Sequence, residues 1–228
     1  MSLATIRSTL SQELQSFKTP PPKEVAPLPK VGDPAPTSFP PPTSAPSAPA
    51  LSFPSDKPVL VVFLRHCGCP FAEKTFKSLT KLSTRHPELH CIAVSHSSQT
   101  ATDRWIIEVG GEWDVQVIVD PDRDLYSAWG LGISSTWHAL SPWAIYKTYQ
   151  LGKTEGIWNR TTESGSRWQT GGAFAVDKSG IVRWVQVAHS ADDIPNFDDA
   201  ITALGLEVDK RRPSATHSHH SHAGAQAH

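Results

Sequence analysis

Two cysteines stand one residue apart in the stretch FLRHCGCPFAEKTF, where an apolar run gives way to a helix-like run. A thiol pair at this spacing can be a redox couple, part of a metal site, or a tight turn that contains two small residues. Pro70 follows Cys69, and proline suits the first position of a helix because its missing N–H would have no partner there. Cys69 is therefore predicted to cap a helix that begins at Pro70.

The predicted position of Cys69 favours a reactive thiolate. The free backbone N–H groups of a first helical turn and the helix dipole both stabilise an anion at this point. Arg65 and His66 lie within four residues of Cys69. If they face the sulfur, they could stabilise its charge and donate hydrogen bonds to an oxyanion or a peroxide oxygen. We expect Cys69 to be the nucleophile, with Arg65 and His66 as its catalytic partners.

Cys67 has two open interpretations. A Cys-x-Cys disulfide closes a short, strained ring that is easily reduced, which suits a catalytic residue that resolves an oxidised Cys69 by exchange. Alternatively, Cys67 points into the core as a small apolar residue. The third cysteine, Cys91, lies inside the apolar run LHCIAVSH and is predicted to be core packing. Three cysteines are too few for a secreted disulfide framework, so any disulfide should be transient.

The elements that must position the cysteines alternate between strands and helices. Three buried strands are predicted in PVLVVFLR, LHCIAVSH and VQVIVDPD, and helices in AEKTFKSLTKLSTRH, TATDRWIIEVGGE and RDLYSAWGL. A hairpin, GGAFAVDKSGIVRWVQV, and a last helix, ADDIPNFDDAITALGL, follow. This order predicts an α/β fold, a mixed central sheet with helices on both faces. The two cysteines follow the first strand, and chemistry gathers beyond the carboxyl ends of parallel strands.

The chain divides into four parts. Residues 1–18 are predicted to form an amphipathic N-terminal helix, and the proline-rich residues 19–55 a linker or arm that lies on the domain or trails from it. Residues 56–206 form the folded domain, with a Trp-rich insert near 132–167 in which a helix is predicted around residues 142–151. Residues 207–228 are predicted to be a disordered, His-rich tail.

Composition excludes several classes of partner. The formal net charge is only -1 with both signs interspersed, so we expect neither a nucleic acid nor a membrane surface as partner. No apolar run is long enough to cross a bilayer, so a soluble, cytoplasmic protein is expected. The tail histidines could bind a metal, but a plain polar tail is the simpler interpretation. Cys-x-Cys lacks the second ligand pair of zinc modules, so no metal and no bound cofactor are expected.

An ordered set of motifs resembles a known family. VGDPAP (residues 31–36), the strand that ends near Arg65, Cys69-Pro70 with Glu73, VDPDRDLYSAWGL and GGAFAVDKSGIVRWV are similar to the peroxiredoxin-like branch of the thioredoxin superfamily, the alkyl hydroperoxide reductase / thiol-specific antioxidant type. The similarity runs from about Val31 to Leu206. It implies a thioredoxin-like fold, with Cys69 where peroxiredoxins carry the peroxide-attacking cysteine.

Three positions depart from the family pattern. His66 stands where peroxiredoxins usually carry Thr or Ser, and Ala72 stands where a thioredoxin would have its second cysteine. A Cys-x-x-Cys mechanism is therefore unavailable. The loop Trp168-Gln169-Thr170-Gly171-Gly172 offers no cis-proline, although its glycines would let the backbone pass close to the sulfur.

The resulting hypothesis is a thiol-dependent oxidoreductase that reduces hydroperoxides through Cys69. An external thiol of the thioredoxin or glutathione type would restore the enzyme, and a homodimer is one assembly left open. Five residues are expected to border the substrate: Pro70, His96, Trp168, Thr170 and Gly171.

Two alternatives are kept. The first is an enzyme for a specialised organic substrate held in an aromatic pocket, lined by Trp129, Trp137, Trp143, Trp158 and Trp168 with His138 and Arg160. The second is a catalytically silent protein that binds a partner through its proline-rich arm or its aromatic face.

Overall fold

Five strands form one mixed sheet at the centre of the protein. The computed structural model describes residues 11, 13–21, 23–37, 51–134 and 142–208. The strands are β1 (Val59–Phe63), β2 (His90–Ser95), β3 (Val115–Val119), β4 (Gly172–Val176) and β5 (Val182–Val187). Their order across the sheet is β3-β2-β1-β4-β5. The first three run parallel, and β4 is antiparallel to both of its neighbours. The predicted parallel crossovers and closing hairpin are therefore confirmed.

The central strand β1 is buried on both faces. Because side chains alternate along a strand, Leu60 and Val62 point into one core while Val59, Val61 and Phe63 point into the other. Burial on both sides explains why the sequence here is an unbroken apolar run. The carboxyl end of this strand leads directly into the Cys-Gly-Cys turn.

Besides the helical residues near position 13, the described part of the chain contains five helices: α1 (Pro70–Arg85), α2 (Gln99–Val109), α3 (Asp124–Ala128), α4 (Pro142–Glu155) and α5 (Phe197–Ala203). Helix α1 buries the predicted apolar stripe, in which the Phe76 ring lies 5.1 Å from the Trp105 ring of α2. Helix α2 ends at Gly110, whose φ of 112° is the left-handed conformation that glycine adopts most easily. Helix α4 is the helix predicted inside the insert.

The second face of the sheet is covered by α3 and by the proline-rich arm. Trp129, just after α3, is fully buried against Phe63 and Phe174. The arm is fastened at several points: the Ala26 N–H donates to the Ser127 carbonyl at 2.9 Å, and the Gly32 N–H to the Val182 carbonyl at 2.8 Å. The described part of the arm thus lies on the domain.

Parts of the predicted flanks lie outside the described residues. In the predicted N-terminal helix, residues 11 and 13–16 are helical. Residues 1–10, the insert residues 135–141 with Trp137 and His138, and residues 209–228 of the His-rich tail lie outside the described part. Within the described part, no helix has the length and apolar character required to cross a membrane.

Candidate active site

The two cysteines flank a tight turn at the end of β1. The Cys69 N–H donates to the His66 carbonyl at 3.1 Å, which closes a β-turn over residues 66–69. Gly68 is the third residue of this turn and has a φ of 108°. A Cβ atom at Gly68 would also lie 3.0 Å from the Arg160 carbonyl, so both the conformation and the space require glycine. The turn gives Cys67 and Cys69 different surroundings.

Cys69 caps helix α1, and Pro70 is the first helical residue, as predicted. The Glu73 N–H donates to the Cys69 carbonyl at 3.1 Å. The sulfur, however, makes no capping hydrogen bond, so the expectation that it sits at the helix amides is wrong. Its hydrogen-bond partner among the described residues is the guanidinium of Arg65, with Nη1 3.5 Å from Sγ. Only 3% of Cys69 is exposed.

Arg65 is held at the site by backbone carbonyls. Its Nη2 donates to the Arg167 carbonyl at 2.7 Å, and its Nη1 lies 3.5 Å from the Ala191 carbonyl as well as from Cys69. Its Nε is buried without a partner among the described residues. Arg65 therefore brings a positive charge to the Cys69 sulfur and keeps one N–H available for a further acceptor.

His66 does not bring a second charge. It is buried, and neither ring nitrogen has a hydrogen-bond partner among the described residues. Burial, together with the nearby positive charges of Arg65 and Arg167, holds the pKa of His66 well below its ordinary value. His66 is therefore neutral at pH 7, which corrects the expectation that it would stabilise an anion as a cation.

Cys67 lies on the other side of the turn, among hydroxyl groups. Its N–H donates to Ser97 Oγ at 3.1 Å, and its sulfur lies 3.7 Å from Ser95 Oγ and 3.9 Å from Thr102 Oγ1. Burial raises the pKa of this thiol. Cys67 and Cys69 are not bonded to each other. Cys67 is thus a buried member of the hydrophobic core, which is one of the two interpretations left open by the sequence, and hydroxyl groups lie beside its N–H and its sulfur.

Cys91 takes the position predicted for it in the core. It is fully buried in strand β2, and burial raises the pKa of its thiol to about 12. A thiol with this pKa is almost entirely protonated at neutral pH, so Cys91 is poorly suited to nucleophilic chemistry.

His96 lies beneath the chain that follows α4. Its Nε2 is 3.1 Å from the Ser166 N–H, and its ring packs edge-on against Tyr126 at 5.3 Å. Burial lowers the pKa of His96 to about 4, so this side chain is neutral as well. His96 therefore supports the backbone at Ser166. Because only 3% of His96 is exposed, little of its surface can contact a substrate.

Among the other predicted substrate residues, Gly171 lies beside Arg65. A Cβ atom at Gly171 would lie 2.8 Å from the Phe63 carbonyl and 3.5 Å from Arg65 Cγ. Together with Phe71, these residues help to line a cavity of about 30 Å³. The Thr170 N–H donates to the Gly132 carbonyl at 3.1 Å. Trp168 faces elsewhere, because its Nε1 donates to the Phe17 carbonyl at 2.9 Å.

A segment that sequence patterns did not identify covers the turn, and we call residues 160–168 the covering segment. The Arg160 N–H donates to the Gly68 carbonyl at 3.0 Å, and its guanidinium pairs with Glu73 at 2.9 Å. Burial works to raise the pKa of Glu73, but hydrogen bonds from Arg160 and Lys77 outweigh burial and lower that pKa. Glu73 is therefore ionised at neutral pH and holds the covering segment on α1.

The described tryptophans of the predicted aromatic pocket, Trp129, Trp158 and Trp168, do not gather around the cysteines, while Trp137 and the Trp143 side chain lie outside the described part. Trp129 lies in the core, and Trp158 packs on Gly152 and beside Tyr149 at 6.5 Å between ring centroids. No described tryptophan lines the cavity beside Arg65, whereas Trp105 of α2 lines the small pocket that contains Cys67. Across the described residues, no three His, Cys, Asp or Glu side chains are placed to hold a metal ion.

A family model described as AhpC/TSA antioxidant enzyme matches residues 76–190, half of the chain. The chain belongs to this family. The resemblance to the peroxiredoxin-like branch of the thioredoxin superfamily is thereby confirmed. The AhpC/TSA match begins at Phe76, after both cysteines of the turn, so the assignment of site residues depends on the geometry described above.

Solved structures confirm the fold of this AhpC/TSA family member. A peroxiredoxin-like protein from Aquifex aeolicus has a TM-score of 0.54 and 17% identity, over 81% of this chain and 91% of that chain. A thiol peroxidase from Chromobacterium violaceum has a TM-score of 0.50 and 16% identity, over 83% of this chain and 94% of that chain. No curated protein sequence matches the chain. The predicted thioredoxin-like mixed sheet is therefore confirmed.

Proposed function

We propose that the protein is a thiol peroxidase that reduces hydroperoxides with Cys69 as its nucleophile. The observation that carries this proposal is the contact between Arg65 Nη1 and Cys69 Sγ, 3.5 Å long, at the start of helix α1. A guanidinium beside the sulfur favours the thiolate, which is the form of cysteine that attacks. Membership of the AhpC/TSA family supports the same chemistry.

In the proposed reaction the Cys69 thiolate attacks the terminal oxygen of a hydroperoxide. The S–O bond forms as the O–O bond breaks, Cys69 becomes a sulfenic acid, and the departing alkoxide takes a proton to leave as an alcohol or water. Arg65 stabilises the negative charge that moves from sulfur to the departing oxygen, and its free Nε can donate to one of the peroxide oxygens. His66, being neutral, can act as a hydrogen-bond donor or acceptor only.

The space beside Arg65 supports a small substrate. The cavity lined by Arg65, Phe71 and Gly171 offers about 30 Å³ to the centres of water-sized molecules, and about 10–15 Å³ on this measure is enough to hold one water. Hydrogen peroxide or the peroxide end of a small organic hydroperoxide fits such a space better than a bulky ring. We therefore expect hydrogen peroxide to react at least as fast as an aromatic hydroperoxide.

Resolution of the sulfenic acid can follow either of two routes. In the first, the Cys67 thiol attacks Cys69 and releases water, leaving a disulfide across the turn that two molecules of an external thiol then reduce. In the second, the external thiol attacks the Cys69 sulfenic sulfur and releases water, and a second thiol then reduces the mixed disulfide to restore the Cys69 thiol. Cys67 helps to line a small pocket, about 20 Å³, that is also lined by Arg104, Arg160 and Glu163. An external thiol of the thioredoxin or glutathione type would reach Cys67 from this side.

The test is the rate at which the fully reduced protein consumes hydrogen peroxide, followed with intact-mass analysis. Wild type should react far faster than a free thiol, and Cys69→Ser should abolish the fast reaction. Cys67→Ser should still react once but should accumulate the sulfenic or over-oxidised form. Cys91→Ser is the matched control and should leave the rate unchanged. If wild type reacts no faster than free cysteine, the proposed function is wrong.

A further inference from the structure

The N-terminal segment, residues 13–17, contacts the covering segment through an unusual concentration of bonds. The carboxylate of Glu13 accepts from the Thr162 N–H at 2.7 Å and pairs with the Arg167 guanidinium. Ser16 accepts twice from Arg167, at its Oγ from Nε at 2.8 Å and at its carbonyl from the N–H at 3.1 Å. The Arg167 guanidinium also lies 4.5 Å from the centre of the Phe17 ring.

Arg167 links this segment to the proposed nucleophile. Its carbonyl accepts from Arg65 Nη2 at 2.7 Å, the shortest hydrogen bond that Arg65 makes among the described residues. The other two contacts of the Arg65 guanidinium, to Cys69 and to the Ala191 carbonyl, are both 3.5 Å long. The orientation of the guanidinium beside the sulfur is therefore set mainly by the Arg167 carbonyl.

We infer that the N-terminal segment is a positioning element of the active site, in which Glu13 and Ser16 hold Arg167 so that its carbonyl fixes Arg65 beside Cys69. The inference rests on the proposed role of Cys69 and assigns a function to a segment outside the central domain. Neither Glu13 nor Ser16 touches the sulfur, so both act through Arg167 and Arg65.

The contacts of Glu13 and Ser16 with Arg167 are partly or fully buried, which strengthens their hold on Arg167. The Glu13 and Arg167 side chains are 27% and 16% exposed, so their ion pair is less screened by water than a fully exposed pair. Ser16 is only 2% exposed. The chain that follows is itself fastened to the domain, because Lys23 pairs with Asp124. The segment is thus held by its own contacts and by the chain that follows it, and its contacts fix both the side chain and the N–H of Arg167.

The test compares Glu13→Gln with Glu24→Gln, which makes the same chemical change at an exposed position of the same N-terminal region. The rate constant for hydrogen peroxide is measured across a range of pH. The rate of Cys69 alkylation by iodoacetamide, read from the mass of its peptide, is measured in parallel. Glu13→Gln should slow both reactions at neutral pH by about three- to tenfold. This factor corresponds to the net free energy of about one hydrogen bond.

The pH profile separates positioning from a merely structural role. In Glu13→Gln the pH at which either rate reaches half of its maximum should rise, because the cation is less well held beside the sulfur, while Glu24→Gln should match wild type. The swapped double variant Glu13→Arg with Arg167→Glu should recover part of the loss.

Two results in Glu13→Gln would overturn the inference: an unchanged pH profile with only a lower melting temperature, or a faster reaction, which would mean that the segment only blocks access to Cys69. Equal effects of Glu13→Gln and Glu24→Gln would overturn it as well. Alkylation does not require peroxidase activity. If wild type fails to react with peroxide, the proposed function fails, while the alkylation profile still tests the role of the N-terminal segment.

Discussion

Lowering the pH from about 7.5 to about 5 should destabilise the folded protein through two buried histidines, His66 and His96. Both are neutral in the folded state because burial lowers their pKa values, to about 4 for His96. In the unfolded chain each returns to the ordinary value of 6.5. Below that pH the unfolded state binds protons that the folded state does not, so the free energy of unfolding falls as the pH falls toward the folded pKa.

The size of the effect follows from proton linkage. At about pH 5 the solution is well below the pKa of 6.5 that His96 has in the unfolded chain. Protonation of His96 in the unfolded state therefore lowers the free energy of unfolding by about 2 kcal/mol. His66 should add to this loss, because burial lowers its pKa as well. The charged groups near the two histidines do not weaken this effect. Arg65, Arg123 and Arg167 are cations, and each disfavours protonation of a histidine that it faces. The loss of about 2 kcal/mol from His96, with the further loss from His66, is a large part of the stability of an ordinary domain.

The assay is urea unfolding followed by tryptophan fluorescence at several pH values in this range. Wild type should lose stability steeply with acidification, and His96→Gln should lose stability at neutral pH but show a shallower pH dependence. Tyr126→Phe is the control, because it removes the hydroxyl that donates to the Leu64 and Val94 carbonyls without changing a group that titrates here. A flat profile in wild type, or an unchanged slope in His96→Gln, would refute the reasoning.

Three substitutions test other parts of the site. Arg65→Lys should lower the peroxide rate constant by about tenfold or more, because a single ammonium cannot hold the Cys69 sulfur and two carbonyls together; a rate within about twofold of wild type would contradict this role. Gly171→Ala should cost about 1–3 kcal/mol in urea unfolding, since its Cβ would lie 2.8 Å from the Phe63 carbonyl; wild-type stability would show that the backbone can give way. Glu73→Gln should cost about 2 kcal/mol, after allowing for the partial exposure of its two cationic partners; a loss below about 0.5 kcal/mol would argue against the carboxylate as an anchor.

The parts of the fold that could be predicted depend on local patterns. Strand β1 is an unbroken apolar run because both of its faces are buried, and α2 stops at a glycine that takes up a left-handed conformation. The helix that begins at Pro70 could be placed for the same kind of reason, since the missing N–H of proline suits that position. The course of the arm could not be predicted, because its polyproline-like chain is fastened by single backbone bonds that leave no periodic signal.

At the site, the position of the cysteine turn before a helix could be predicted from the sequence, but most of the residues that surround the turn could not. Arg65 was predicted as a partner of Cys69 because it is close along the chain, and the structure brings the two together. Arg167 could not be found in this way, since its contact with Arg65 spans about a hundred residues and uses a backbone carbonyl. The charge of His66 was mispredicted because charge depends on burial, which a stretch of sequence this short does not reveal.

The Cys-Gly-Cys turn gives two neighbouring thiols different surroundings. The Cys69 sulfur lies beside the Arg65 guanidinium, whereas Cys67 lies beside hydroxyls in a buried position that raises its pKa. If a disulfide forms across the turn, we expect an incoming thiol to attack the Cys67 sulfur, because the Arg65 cation stands beside the sulfur that would leave. Cys67 also lines a small pocket together with Gly68 and Arg160. Gly68, whose left-handed conformation the turn requires, therefore separates the proposed nucleophile from the proposed resolving thiol only two residues away.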